Sequence, residues 1–484
     1  FVGSGRANTS SGYEGTIGGG LGNIASGSRS FVGSGNSNTA SGGHSIVGGG
    51  QCNVSSGACS TIGGGCANTA SGLLSVIAGG RNNCASGESN SIGGGQNNCA
   101  NATYYASIGG GLNNTASGYG SRVGGGQGNS SSNDRSTISG GINNTASGYR
   151  STVGGGNSNT SSGLESTVGG GVSNTSSGCF STVGGGCGNV ASAVRATASG
   201  GFNNLASGDR ATVGGGGSNC ALNTGDTVSG GLNNRSCAAY GTVSGGYANN
   251  SFGHMSVVGG GCNNTASGNR STIGGGGCNT ASGAYANTIA GGVANVAQST
   301  YSSIGGGDSN TASNGRSVVA GGYNGTSSGA YSSVSGGYQN VASGQYTWAA
   351  GRRNTVSAAY SGAVGCCISA TTAKTFYAHN FCATDCMYAV AYFESSDERL
   401  KDIHCRVGSF DNINPIYFNW KEGDASLINI GYSAQNVKET LPNAIKEDDK
   451  GYYSVDYHQV HIYKITKLEE RITQLEEMIK KSRS

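Results

Sequence analysis

The sequence predicts an all-β fold: a parallel β-solenoid (β-roll) of about 24 fifteen-residue coils forming a homotrimeric fibre, then a small C-terminal α+β domain ending in a coiled-coil helix. Three observations predict it. A Val/Ile position recurs on a fixed ruler through residues 1–365. Gly supplies 94 of the 484 residues and Pro only two. Charge shifts sharply: residues 1–365 hold thirteen Arg, seven acids and no Lys, leaving 31 of the 51 charged side chains for the last 119 residues.

The ruler begins at Val2, Ile17, Val32 and Val47 and runs to Val334, Ala349 and Val364. Of its 24 intervals, 22 are 15 residues long; Ile92 to Ile108 and Ile273 to Ile289 are 16. A period this strict marks a repeat architecture. With the ruler residue at position zero, +8 is Ala or Ser in all 24 repeats. Position +6 is Asn in 22 of 24, with Gly325 and Thr355 as exceptions, and +1 to +3 are Gly-rich. Fifteen residues with two turn signals fit one coil of two short strands. A helix of this composition would suffer from each Gly by about 1 kcal/mol. Gly and Asn supply the positive φ that tight corners need. Collagen is excluded, because Gly is not at every third position and Pro is scarce. No 18-residue apolar run is present to form a membrane-spanning helix. At roughly 4.8 Å per coil the stack is a rod on the order of 115 Å long. One Val and one Ala per coil make a thin core, so further burial is expected from copies packed about a symmetry axis.

The variable positions mark the outside. Position −3 carries Arg29, Arg135, Arg150, Arg195, Arg210, Arg270 and Arg316. Arg135 and Arg150 sit on adjacent coils, and like charges so close need water. Tyr13, Tyr119, Tyr149, Tyr247, Tyr323 and Tyr338 share these edges. They read either as a solvated surface or as a repetitive face for a glycan or receptor. The Asn row reads either as a hydrogen-bonded amide ladder or as a set of left-handed corners. The repeat also accounts for the Asn-x-Ser/Thr sequons without glycosylation. A net charge of +3 implies no nucleic-acid partner.

The repeat resembles the β-roll heads of trimeric, YadA-like autotransporter adhesins over residues 1–365. It shares the Val/Ile-Gly pair, the small residue before a Gly, and one coil per unit. It departs in unit length and in the Gly-Gly-Gly run. The resemblance implies a left-handed trimeric roll with an adhesive role.

Sixteen cysteines show no zinc spacing; Cys382 and Cys386 have no second pair at finger distance. No metal or cofactor is expected. Cys84 and Cys99 both occupy +7 on consecutive coils, which places their Cα atoms about 5 Å apart, within disulfide range. They read either as a disulfide or as free, small, apolar side chains. Unpaired thiols in this number suit assembly in a reducing cytoplasm.

Residues 366–395 alternate apolar and polar and read as a β neck. Residues 396–484 carry SDERLK, NPIYFNWK, INIGYSAQNV, LPNAI and YYSVDYHQV in order. The chain closes on a helix, with the coiled coil spanning 457–482. Ile465, Leu468, Ile472, Leu475 and Ile479 follow a 3-4-3-4 seam. Ile at a with Leu at d leans toward two strands, whereas the repeat argues for three.

These motifs closely resemble the intramolecular chaperone of endosialidase-type viral tailspikes over about 376–484. That family chaperones trimeric β-fibres and cuts itself off with a Ser-Lys dyad. The resemblance implies Ser396 as nucleophile, Lys401 as base and Ser396–Asp397 as the scissile bond, with Ser395 the alternative. A lysine can serve as base when burial favours its neutral form. Read without the resemblance, Ser396-Asp397 is a helix N-cap and Arg399 and Lys401 are solvated. His458 and His461 are expected to be packed or solvated.

The function expected from sequence is therefore a homotrimeric viral fibre or tailspike with a self-releasing chaperone. It would be assembled in the host cytoplasm and displayed on the virion surface, with other virion proteins and a host receptor or glycan as partners. Its enzyme activity would be self-cleavage only, with no external substrate and no membrane insertion. The alternatives are an extracellular cell-surface adhesin and a glycan-degrading tailspike. Against the latter, seven acids spread along the repeat offer no evident carboxylate pair. The N-terminus, FVGSGRANTS, has no initiator Met or signal pattern, as expected of a processed end or a cut within a repeat.

Overall fold

A computed structural model describes residues 1–378, 393–395, 399, 401–406, 411–421, 429–448 and 450–482; for 393–395, 402 and 404–406 it describes the backbone alone. The chain forms two compact units, Phe1–Asn380 and Phe381–Ser484.

The first unit is a parallel β-solenoid built on two 25-stranded ladders. One ladder carries positions −1 and 0, from Thr16–Ile17 to Phe376–Ala378. The other carries +7 and +8, from Thr9–Ser10 to Ser369–Ala370. Like faces like: Val153 pairs with Val168 and Val168 with Val183, while Ala25 pairs with Ala40. Isolated parallel bridges form a third row at +4, from Arg6–Leu21 onward to Tyr323–Tyr338. Within each short strand the second residue points inward, so Thr167 is half-exposed and Val168 fully buried.

The Asn row is an internal amide ladder. Asn174 Nδ2 donates to the carbonyls of Gly170 and Gly186, both at 2.9 Å, and its Oδ1 accepts the Asn189 N–H at 2.9 Å. The left-handed corners lie elsewhere, at +5 and −3, and non-Gly residues often occupy them: Arg29 at φ 55°, Ser37 at 60°, His44 at 60° and Cys52 at 55°. Each costs on the order of 1 kcal/mol. Their N–H groups bond backward to the previous coil, Arg29 to the Tyr13 carbonyl and Ser37 to the Leu21 carbonyl. Gly is essential at +3. Gly20 has φ 99°, and a Cβ there would strike the Gly35 carbonyl and the Asn23 amide.

Departures from the 15-residue period fall at corners. Cys84 still pairs with Cys99 fifteen residues on, whereas Ser91 pairs with Ser107 sixteen residues on, so the extra residue lies after Ala100. Buried Asn90 repairs the enlarged corner: its Nδ2 donates to the Ala100 and Ala102 carbonyls, and its Oδ1 accepts the Ala106 N–H. Beyond Ala349 the coils lose one residue, which corrects the ruler. Ala349 pairs with Ala363 rather than Val364. Ala363 is buried and Val364 is exposed. The Asn row passes through Asn354 rather than Thr355, and the +8 row through Val356 rather than Ser357. Parallel pairing also runs beyond 365, because Phe376–Ala378 joins the first ladder.

One chain closes this interior by itself. The Val/Ile, Ala/Ser and Asn rows have essentially no exposed surface, and so do the small residues at −2. Where +8 and the following −2 are both Ser, the two hydroxyls meet, as in Ser161···Ser166 at 2.7 Å; after Ser10 and Ser236 that position is Gly15 and Gly241. The polar rows fill the space that made the apolar core look thin.

Among its described residues, the second unit contains two three-stranded antiparallel sheets and two α-helices. Its strands are β1 (Phe393–Ser395), β2 (Lys401–Arg406), β3 (Pro415–Trp420), β4 (Asn429–Tyr432), β5 (Ile445–Glu447) and β6 (Tyr453–Asp456). The sheet orders are β1-β6-β5 and β2-β3-β4. The helices are α1 (Ala434–Thr440) and α2 (Tyr457–Ser482), and Pro442 opens a 3₁₀ turn between α1 and β5. Ile413, Ala434, Val437, Ala444, Val455 and Val460 form the core.

Candidate functional site

The second unit's sequence motifs have specific structural tasks. Ser433 caps α1 by accepting the Asn436 N–H at 3.1 Å, and the Asn436 side chain ties down Asn412 and Asn414. Gly431 leaves room for the Tyr457 hydroxyl, which accepts the Tyr432 N–H at 3.0 Å. Asp456 begins α2: its Oδ1 accepts the His458 and Gln459 N–H groups, and its Oδ2 accepts Gln459 Nε2. Asp456 is thus an N-cap carboxylate that takes both a backbone and a side-chain N–H from Gln459. Lys464 reaches back to both oxygens of buried Asp411, at 2.9 and 2.8 Å.

Lys401 is 3% exposed. Its Nζ donates to the Tyr432 carbonyl at 3.0 Å and lies 4.1 Å from the Phe418 ring centroid and 5.2 Å from that of Trp420. It is therefore not the solvated lysine of the N-cap reading. The Nζ is thus enclosed by a carbonyl and two ring faces. Phe418 and Trp420 alternate on β3 and thus share a face, which the F-x-W spacing encodes. Their contact with Lys401 depends on the β2–β3 register, which the spacing does not encode.

Ser396 and Asp397, the expected nucleophile and scissile bond, lie outside the described residues, as do Cys382 and Cys386. Ser395 ends β1, where it pairs with Ser454 of β6. The Arg399 guanidinium bonds the Gly451 carbonyl and lies over the Tyr452 ring at 4.8 Å. His458 and His461 are exposed, with the His461 ring packed on Tyr432 and Tyr457.

On α2 the seam faces outward within the chain. Ile465 is 57% exposed, Leu468 48%, Ile472 48%, Leu475 44% and Ile479 51%. Each is a large apolar side chain on one stripe of a 26-residue helix.

On the solenoid, all seven Arg at −3 are exposed. Several bond one coil over: Arg29 to Glu14 at 2.8 Å and Arg150 to Glu165 at 3.2 Å, while Arg316 bonds the Tyr331 hydroxyl. Tyr331, Tyr346 and Tyr360 stack on one another at 4.8 and 5.0 Å. Their facing rings are engaged within the chain, which leaves edges and hydroxyls for any glycan. Asp226 is buried and accepts the Asn223 and Gly241 N–H groups, and burial pushes its carboxyl pKa up.

Cys84 and Cys99 are register partners on neighbouring strands of the second ladder, and both thiols are free. The neighbouring Cys99 thiol lowers the Cys84 pKa to about 6 against the opposing effect of burial; the Ser86 hydroxyl assists. Cys99 is held well above the usual thiol range by the same contact. Cys366 and Cys367 bring their sulfurs to 2.9 Å.

Among the described residues, no cluster of three or more His, Cys, Asp or Glu is placed to hold a metal ion. No described helix is long and apolar enough to cross a membrane. No protein-family model matches the chain, and no curated protein matches it.

Proposed function

We propose that this chain is a fibre or tailspike protein of a virion surface, whose solenoid is the shaft and whose second unit is a self-releasing intramolecular chaperone. A long parallel solenoid suits a structural, rod-like role. The observation that carries the rest is the α2 seam, five apolar residues at heptad spacing and about half-exposed in a single chain. Their occupant in this reading is the same helix of two further copies: the exposed seam calls for association, and the number three rests on the resemblance to trimeric β-fibres, since the Ile/Leu pattern alone leans toward two. The homotrimer would bring Ser396 toward Lys401, and the lysine, once neutral, would take the serine proton during attack on the local backbone. A receptor or glycan would meet the exposed Arg/Tyr edges.

The test combines native mass measurement with denaturing electrophoresis on the full chain. A trimer is expected, with a shaft of 396 residues and a fragment of 88 from cleavage after Ser396. Ser396→Ala and Lys401→Ala should each leave full-length chains that still form trimers. Leu468→Asp, on the seam, should abolish association. A stable monomer or dimer overturns the trimeric reading, and a mature wild-type chain that stays intact overturns self-release. Cleavage persisting in Ser396→Ala would move the chemistry to Ser395.

A further inference from the structure

We propose that Cys84 and Cys99 form a reversible dithiol–disulfide site on the outer face of the solenoid, oxidised by small-molecule disulfides such as oxidised glutathione. The two residues face each other directly across adjacent parallel strands. Both are half-exposed, while Ala85 and Ala100 beside them fill the interior. The same row continues as Thr69 before the pair and Thr115 after it. Cys220, also in this row, faces Leu205 and Arg235 instead of a second thiol. Facing cysteines are thus a specific feature of this coil pair rather than a property of the row.

The pair is chemically asymmetric. The neighbouring Cys99 and Ser86 side chains hold the Cys84 thiol below its usual range, so Cys84 is the thiol that ionises first and acts as the nucleophile. Its sulfur attacks one sulfur of oxidised glutathione. The glutathione S–S bond breaks, a mixed disulfide forms on Cys84, and one glutathione thiolate leaves. Cys99 then loses its proton and attacks the Cys84 sulfur, expelling the second glutathione. The Cys84 thiolate and the Cys99 thiol are together oxidised by two electrons and one glutathione disulfide is reduced; the Cys99 proton ends on one glutathione thiolate and the other is protonated from water.

The strand spacing makes the product reversible. In-register parallel strands hold outward side chains about 4.8 Å apart, whereas a relaxed disulfide prefers Cβ atoms at about 3.5–4.5 Å. A bond closed under that tension is more easily reduced than a relaxed structural disulfide. While closed, it ties one coil to the next independently of the backbone ladder.

The test uses the full chain at pH 7 with excess oxidised glutathione, read by peptide-level mass spectrometry. The expected product is a Cys84–Cys99 link, reopened by reduced glutathione without unfolding. Cys99→Thr should stop at one glutathionyl group on Cys84. Thr occupies both flanking positions of the row, so Cys84→Thr and Cys99→Thr should keep the coil. The lowered thiol pKa also reduces intrinsic nucleophilicity, so a pH profile discriminates better than a single rate. Alkylation of wild-type Cys84 should rise with a midpoint near 6. In Cys99→Thr the midpoint should climb by about two pH units toward the ordinary thiol value. Separate glutathionyl groups on both cysteines, with no link, overturn the site. An unmoved midpoint in Cys99→Thr overturns the thiol–thiol contact on which the order of attack rests.

Discussion

In the solenoid, Asn174 bonds Gly170, Gly186 and Asn189, and nearly every other coil repeats that arrangement one rung away. In the second unit, Asp411 bonds Lys464 at 2.8 Å across 53 positions of sequence. Both devices satisfy buried polar groups, but one is periodic and local while the other is unique and distant. A periodic device tolerates a missing rung. Gly325 interrupts the Asn row, and its N–H is still accepted by Asn310 Oδ1 at 2.8 Å. The Asp411–Lys464 pair is a long-range link that no neighbouring repeat duplicates.

The strongest way to break the comparison is a charge inside the periodic core. Val168→Asp buries a carboxylate where the wild-type side chain has no exposed surface. The cost is several kcal/mol, and because rungs stack on rungs the damage should spread to neighbouring coils. Soluble yield should collapse, and hydrogen exchange should show lost protection beyond residues 153–183. Protection lost only at residue 168 would mean the coils are energetically independent.

Lys464→Met should cost about 3 kcal/mol by removing the cation from a buried carboxylate. Its effect should stay in the second unit, with the solenoid's melting transition unchanged. A shift in both transitions would show that the two units unfold together.

Asn174→Ala should be milder, at about 2 kcal/mol, because it strips the Asn189 N–H of its acceptor and two carbonyls of a donor. Exchange of the Asn189 amide should accelerate most. Arg150→Ala removes an exposed pair with Glu165 and should change stability by less than about 0.5 kcal/mol in chemical denaturation. Equal effects from Val168→Asp and Arg150→Ala would invert the assignment of inside and outside.

Much of the solenoid is legible in the sequence because its contacts are one repeat away. The buried Val/Ile and Ala/Ser rows and the exposed Arg row follow from counting. Counting failed after Ala349, where one residue is dropped from the Gly run and the rows shift to Ala363, Asn354 and Val356. The departure from Asn at Thr355 was the available signal, since Asn354 stands immediately before it. The environment of Lys401 is less legible. Lys401 was singled out by resemblance, but its burial against Phe418, Trp420 and the Tyr432 carbonyl depends on strand register and on β4, thirty-one residues away.

The sequence by itself determined the coil, its period, its inward rows and the heptad stripe of the last helix. Periodicity in sequence becomes periodicity in space whenever each repeat packs only on its neighbours. The tertiary structure alone decided three other matters. It made the Asn row an amide ladder rather than a set of corners, because the corners fall at +5 and −3. It closed the interior within one chain, because amides and serines occupy space that an apolar count overlooks. It also made the two facing thiols unequal, Cys84 lowered and Cys99 raised in pKa, because protonation depends on the surrounding atoms, which spacing alone does not specify.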